Sequence, residues 1–123
     1  MKFRIGLLLV AAGLAAAVVD SGAQAPAAAR PGRSITKADV ERTLPLTCVQ
    51  AWTASGRQYP QMLATVIMLA KVSLANRNLT FPNTREAGED AGKGIADDCK
   101  ADPDALLFAI VDKHVRRVAR AAP

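Results

Sequence analysis

The apolar residues of this 123-residue chain fall into helix-length stretches separated by proline, glycine and asparagine. The longest stretch after the N-terminal region begins at Pro60, and its apolar residues cover more than one face. This pattern predicts a central helix, largely buried and closed by Asn76. No segment shows the strict alternation typical of a strand, and no internal repeat is present.

The last apolar stretch has a clear helical period. One predicted stripe contains Leu107, Ile110, Val111, His114, Val115 and Val118. The opposite side is predicted to carry Asp112, Lys113, Arg116 and Arg120, facing solvent. The segment Asp102-Pro103-Asp104 has the strongest helix-start features in the chain, and we expect this closing helix to begin there.

Threonines mark the expected starts of the other helices. Thr36, with Asp39 after it, predicts a short helix over 37–44 that Pro45 ends. Thr47 predicts a second helix that stops at Gly56. Thr84 predicts a further helix as far as residue 100, weakened by three glycines in its first half. The chain is therefore predicted to be a small all-α domain of four to five helices.

The N-terminus has the pattern of a secretory signal. Lys2 and Arg4 precede an apolar run over residues 5–19, and small residues follow. This predicts a signal peptide over residues 1–23, cleaved after residue 23 or 25, rather than a membrane anchor, because a span needs about 20 apolar residues. Residues 24–35 are then a flexible lead rich in proline and alanine, and residues 36–123 form the domain.

Export has a consequence for the two cysteines. Cys48 and Cys99 both lie in the exported part, and an oxidising compartment normally joins such a pair. We therefore expect a disulfide that closes the domain, with two buried free thiols as the alternative.

Charge is distributed unevenly along the chain. Removal of the signal peptide leaves 14 basic and 10 acidic residues, a net charge of +4. Residues 85–104 carry a net charge of −4, whereas residues 48–84 carry +3 and no acid. We expect the acidic segment to pair with the basic segments 48–84 and 105–123 at neutral pH, within one chain or between two. This polarity and the scarcity of aromatic residues argue against a nucleic-acid partner.

Candidate catalytic or metal-binding residues are few. His114 is the only histidine, and its place on an apolar stripe favours a packing role over that of a general base. The acids around Asp97 and Asp98 lack the ligand spacing of a calcium loop and are predicted to form a solvated helix face. The sequence therefore predicts no enzyme, no cofactor and no metal site.

Apolar surface is the remaining candidate for function. The central helix is apolar nearly all round, and so small a domain is not expected to cover it completely. We expect a client-binding or dimer surface that contains Trp52, Met62, Val66, Ile67 and Leu69. The alternative is that these residues are simply core.

The order of these features resembles the HdeA/HdeB group of periplasmic acid-stress chaperones. The resemblance covers roughly residues 44–118 and rests on layout: Thr47-Cys48 opening a helix, a turn at Tyr59-Pro60 into a long apolar helix, and Cys99 shortly before Pro103. It implies an HdeA-like helical fold in which a disulfide joins Cys48 and Cys99. It also implies a homodimer at neutral pH that loosens in acid and exposes apolar surface.

The resemblance further implies a function. We expect a periplasmic holdase that works without ATP, binds unfolded or misfolded periplasmic proteins, and has no membrane association once the signal is removed. Because carboxylates protonate around pH 4, acid would leave the chain strongly positive and favour opening. The alternatives are an exported helical binding protein, such as an immunity protein or inhibitor with one dedicated partner, and an exported enzyme that uses His114.

Overall fold

A computed structural model describes residues 34–123, which form five helices and one short β-ribbon. The elements, in chain order, are α1 (Lys37–Thr43), α2 (Cys48–Ala54), α3 (Tyr59–Arg77), β1 (Leu79–Thr80), α4 (Arg85–Ala101), α5 (Leu107–Val118) and β2 (Arg120–Ala121). The predicted all-α class is confirmed. The predicted signal peptide and nearly all of the predicted lead lie outside the described residues.

Threonine caps define three helix starts, as predicted. The side chains of Thr36, Thr47 and Thr84 each accept a hydrogen bond from the backbone N–H three residues later. At Thr36 and Thr47 the side chain of the third helical residue also accepts a hydrogen bond from the backbone N–H of the threonine, which completes a capping box. Each cap satisfies donors that a helix start would otherwise leave unpaired.

The end of α3 lies later than predicted. The helix continues through Asn76 to Arg77, and its C-cap is Asn78, which adopts a left-handed conformation with φ 50°. Asparagine tolerates this conformation, and its N–H donates back to the carbonyls of Leu74 and Ala75. The prediction that Asn76 closes the helix is therefore wrong by two residues.

The predicted start of α5 at Asp102 is also wrong. Residues 102–105 form a turn, and α5 begins at Leu107, whose N–H donates to the carbonyl of Leu46 at 3.0 Å. The carbonyls of Pro103 and Ala105 accept the N–H groups of Val49 and Cys48 at 3.0 and 2.9 Å. The turn thus satisfies the free donors at the start of α2, and these tertiary bonds outweigh the local preference for a helix start.

The core forms where α3, α4 and α5 meet, with α2 at one end. Its buried apolar members are Cys48, Ala51, Met68, Leu69, Ile95, Leu107, Ile110, Val111 and Val115. Five of the six predicted stripe positions of α5 are buried, and the sixth, Val118, is half-buried. The phase predicted for α5 is confirmed.

A disulfide joins Cys48, at the start of α2, to Cys99, near the end of α4, with the two Cα atoms 5.6 Å apart. The predicted pairing is confirmed, and such a bond fits an oxidising, exported location. The two cysteines are 51 positions apart in sequence, so the chain-entropy model assigns the crosslink about 4 kcal/mol of stabilisation.

A two-stranded ribbon closes the end of the fold opposite the disulfide. Leu79 pairs with Ala121 and Thr80 with Arg120, antiparallel, and Ala122 donates to the carbonyl of Asn78. Strands of two residues are too short to show alternation, which is why the sequence pattern predicts no strand here.

Candidate functional site

An exposed ridge runs along α3. Tyr59, Leu63, Ile67 and Lys71 are spaced four residues apart, so they lie in one row on the helix surface. The three apolar members are 70%, 41% and 45% exposed, and Lys71 is also exposed. We call this row the α3 ridge. It is a continuous apolar strip that ends in a positive charge.

The ridge exists because α3 is apolar on more sides than the fold covers. Thr65, Met68, Leu69 and Ser73 are the buried residues of this helix and define its core-facing side. Two of these four are polar, whereas the solvent-exposed side of the helix carries Leu63 and Ile67. The distribution of apolar residues around α3 therefore exceeds what its own core needs.

The corner between α2 and α3 carries a further exposed aromatic residue. Trp52 is 37% exposed, and its carbonyl accepts the N–H of Arg57 at 3.0 Å. Gly56 and Arg57 are both left-handed, with φ 65° and 57°. Glycine adopts this conformation freely, but in an arginine it causes steric strain. The chain thus retains a strained, exposed cation at the corner beside Trp52.

The five residues predicted for the client or dimer surface differ in how far they are buried. Trp52 and Ile67 are exposed, and Met62 and Val66 are half-buried against the core. Leu69 is fully buried, so its assignment to a surface of the folded chain is wrong: it points towards the core. The sequence reasoning missed Tyr59 and Leu63, which the four-residue spacing from Ile67 could have indicated.

A polar cluster joins α4 to α5. The carboxylate of Asp98 accepts from Lys113 Nζ at 2.9 Å and from His114 Nε2 at 2.7 Å. On the other side of the ring, Arg117 lies 3.4 Å from His114 Nδ1 and also pairs with Asp90 at 2.6 Å. A neutral ring that carries its proton on Nε2 satisfies both contacts at once.

His114 fits this interface only because α4 has a glycine opposite it. His114 is 7% exposed, in line with the predicted packing role, and its ring also has a polar partner in Asp98. A Cβ placed on Gly94 would lie 2.3 Å from His114 Nδ1. The absence of a side chain at residue 94 is therefore a packing requirement, whereas a Cβ added to Gly88 or Gly92 would meet no neighbouring atom within 4 Å.

The charges of this interface hold its carboxylates ionised. Hydrogen bonds from Lys113 and then His114 lower the pKa of Asp98 below its ordinary value. The hydrogen bond from Lys93, one turn before Asp97 on α4, lowers the pKa of Asp97. The predicted solvated acidic face is thus partly a set of ion pairs.

A second cluster joins α3 to α5 through Asp112. Its carboxylate accepts from the buried Ser73 hydroxyl at 2.7 Å, from Arg77 through two bonds of 3.0 Å, and from Arg116 at 3.0 Å. Burial raises the pKa of Asp112, but the bonds from Arg77 and Ser73 outweigh it, and the pKa is lowered overall. The prediction that Asp112 faces solvent is wrong, since its side chain is only 14% exposed.

The predicted pairing of charged segments is correct for one of the two basic segments. Asp90 and Asp98 of the acidic segment pair with Arg117 and Lys113 of the C-terminal segment. The other basic segment, residues 48–84, contributes Arg77, which pairs with Asp112 of α5 instead of an acid in 85–104. Helix α5 is therefore held by ion pairs on two sides.

Within residues 34–123, no group of three or more histidine, cysteine, aspartate or glutamate side chains is placed to hold a metal ion. Over the same residues, no helix combines the length and apolar character that a membrane span requires. Comparisons with protein-family models, with curated proteins and with solved structures find no match to this chain.

Proposed function

We propose that this chain is an ATP-independent holdase of the periplasm that binds unfolding proteins through exposed apolar surface and is activated by acid. The observation that carries the proposal is the α3 ridge, where Leu63 and Ile67 stay exposed on a helix whose other side forms the core. Exposed apolar surface of this kind binds apolar segments that a folded protein keeps inside. The resemblance in layout to the HdeA/HdeB group supports the same role.

The two polar clusters provide a physical route to acid activation. Helix α5 is joined to α4 through Asp98 and Asp90, and to α3 through Asp112. Protonation of Asp98 and Asp112 removes an attraction on each side of α5 and leaves the basic side chains that surround it. The charge that remains is repulsive, so α5 separates from its neighbours and exposes Leu107 and Val111, which are fully buried in the folded chain.

The direction of the pKa shifts sets the pH range of this opening. The pKa values of Asp98 and Asp112 are lowered in the folded chain, so their contribution to stability is complete above about pH 4, the ordinary value for aspartate. That contribution is lost as the pH falls through the lowered pKa values. Opening is therefore expected below about pH 4, while neutral chain stays closed.

The disulfide limits how far the chain opens. The bond between Cys48 and Cys99 keeps α2 attached to α4 when α5 separates. A chain so constrained returns to its folded state more readily than an unlinked one, because the loop it closes is already formed. Reduction should therefore turn a reversible opening into unfolding.

Light scattering of several unrelated client proteins, at about pH 3 and at pH 7, tests the proposal. We expect dose-dependent suppression of client aggregation, greater in acid, and a weaker effect for the double variant Leu63→Ser/Ile67→Ser. The matched control is Ile35→Ser, which removes an equally exposed apolar residue ahead of α1. No suppression of any client at either pH would exclude a holdase.

A dedicated binding protein is the second candidate. The strained cation Arg57 beside Trp52 forms part of the surface already present in the folded chain. A preformed surface is typical of a protein with one partner. Tight binding of a single protein at neutral pH, with no protection of other proteins in acid, would favour this candidate.

A further inference from the structure

The charges around the α3 ridge point to a particular class of bound segment. Resting on the proposed function, we infer that, at pH values where carboxylates are ionised, the ridge prefers apolar segments with acidic residues at both ends. Such a segment would place its carboxylates near Arg57 at one end of the ridge and near Lys71 at the other.

The first step is the position of the two cations. Lys71 is the fourth member of the ridge, one turn beyond Ile67, and Arg57 precedes the first member, Tyr59. Tyr59 and Lys71 are about 18 Å apart along the helix axis at 1.5 Å per residue. Along the chain, the apolar part of the ridge thus lies between two exposed cations, with Arg57 before it and Lys71 after it.

The second step is that both cations are available. Among residues 34–123, neither Arg57 nor Lys71 takes part in an ion pair, whereas Arg77 further along α3 is engaged by Asp112. Residues 48–84 contain no acid that could neutralise them locally. The turn that carries Asp102 and Asp104 bonds to the start of α2, whereas Arg57 follows the end of that helix.

The third step is the backbone at residue 57. Arginine holds a left-handed conformation there with φ 57°, which glycine would adopt without strain. The strained backbone keeps an exposed charge at the corner, next to Trp52, whose carbonyl bonds the N–H of Arg57. A cation retained at a steric cost fits a role in recognition.

These observations also indicate whether a second copy, a lipid surface or a peptide segment binds the ridge. A second copy packed ridge against ridge would place positive charges opposite one another, which disfavours a dimer of this geometry. An anionic lipid surface would match the charge, but it would meet a narrow row of side chains on one helix rather than a broad apolar face. A segment about 18 Å long with acidic ends matches both the charge and the length. Roughly six apolar residues in extended conformation span that length.

The test uses the whole exported chain and three synthetic peptides. Each peptide has the same six-residue apolar centre without tryptophan, flanked on both sides by aspartates, serines or lysines. Binding is followed at pH 7 by the fluorescence of Trp52, the only tryptophan in the chain. We expect the aspartate peptide to bind about 2- to 30-fold more tightly than the serine peptide, since each exposed ion pair strengthens binding roughly 1.4- to 5-fold. The lysine peptide should bind most weakly, and the preference should vanish in about 1 M salt.

Two charge variants identify the residues responsible. Arg57→Gln/Lys71→Gln should bind all three peptides equally, while Lys100→Gln, which removes an exposed cation from α4, should keep the preference. Leu63→Ser/Ile67→Ser should bind every peptide more weakly. An unchanged melting temperature in each variant shows that the fold is intact.

Several results would overturn the inference. Equal affinity for the three peptides, or a preference that survives Arg57→Gln/Lys71→Gln, would exclude charge selection and leave the holdase proposal standing. A concentration-dependent dimer that Ile67→Ser dissolves would assign the ridge to a second copy. Binding to phosphatidylglycerol vesicles without binding to any peptide would assign it to lipid. Peptide preference without protection of any client would instead retain the acidic specificity and remove the holdase role.

Discussion

Gly94 provides a sharp test of how α4 and α5 pack. An alanine there would place a methyl group 2.3 Å from His114 Nδ1, 2.4 Å from Cε1 and 3.0 Å from Cγ. Contacts this short force the ring to move, and the ring is held by its 2.7 Å bond to Asp98. The His114 side chain is also only 9% exposed, so the ring has little free space into which it can turn.

The expected size of the effect follows from three contributions. Overpacking costs about 1–3 kcal/mol. Loss of the hydrogen bond between His114 and Asp98 costs about 1 kcal/mol more. Alanine in place of glycine within a helix raises the free energy of unfolding by about 1 kcal/mol, which offsets part of this loss. Gly94→Ala should therefore destabilise the chain by about 1–3 kcal/mol and lower its melting temperature by roughly 5–20 °C.

The same helix provides the control. A Cβ at Gly88 or Gly92 would have no neighbouring atom within 4 Å, so alanine at either position should stabilise the chain by about 0.5–1 kcal/mol. The measurement is thermal unfolding followed by circular dichroism at neutral pH. The double variant Gly94→Ala/His114→Ala should recover part of the loss, because the smaller side chain removes the clash. If Gly94→Ala raises the melting temperature as much as the controls do, the packing argument is wrong.

Two further predictions concern stability. Replacing Cys48 and Cys99 with serine should lower the free energy of unfolding, measured by urea titration, by about 4 kcal/mol. Equal stability of the oxidised and the reduced wild-type chain would contradict this contribution of the disulfide. For Asp112→Asn, the free energy of unfolding should fall by about 2 kcal/mol at pH 7 and by a smaller amount at pH 3, because the stabilisation that comes with a lowered pKa declines as the pH falls from about 4 through that pKa. The exposed Glu86→Gln is the control, and an equal loss at both pH values would refute the linkage.

The features that the sequence predicted correctly depend on neighbours close along the chain. Thr36, Thr47 and Thr84 cap helices through bonds to residues three positions away, so the local pattern contains the full information. The stripe of α5 was equally visible, because its apolar residues occupy one side and its charges the other. The disulfide followed from export and from there being two cysteines.

The features that the sequence did not predict depend on residues far apart along the chain. Asp112 meets Ser73 across 39 positions, and nothing in the local pattern of α5 distinguishes this aspartate from a solvated one. The turn at residues 102–105 has all the signals of a helix start, yet its carbonyls are used by α2, which lies more than 50 positions earlier. The need for glycine at residue 94 arises only when His114 is placed against it.

The candidate site lies between these two cases. A helix that is apolar on all sides has no periodicity to show which side faces the core, so Ile67 and Leu69 looked equivalent in sequence. They point about 200° apart around α3, since successive residues turn by about 100°. The side that became buried was the one facing the strongly one-sided stripe of α5, and the other side became the ridge.

One serine substitution on each side of α3 therefore tests this assignment. Ile67→Ser should leave the folded chain nearly as stable as wild type while weakening client protection, whereas Leu69→Ser should unfold it, because Leu69 is fully buried. Equal loss of stability in both variants would show that Ile67 belongs to the core and that α3 has no free apolar side.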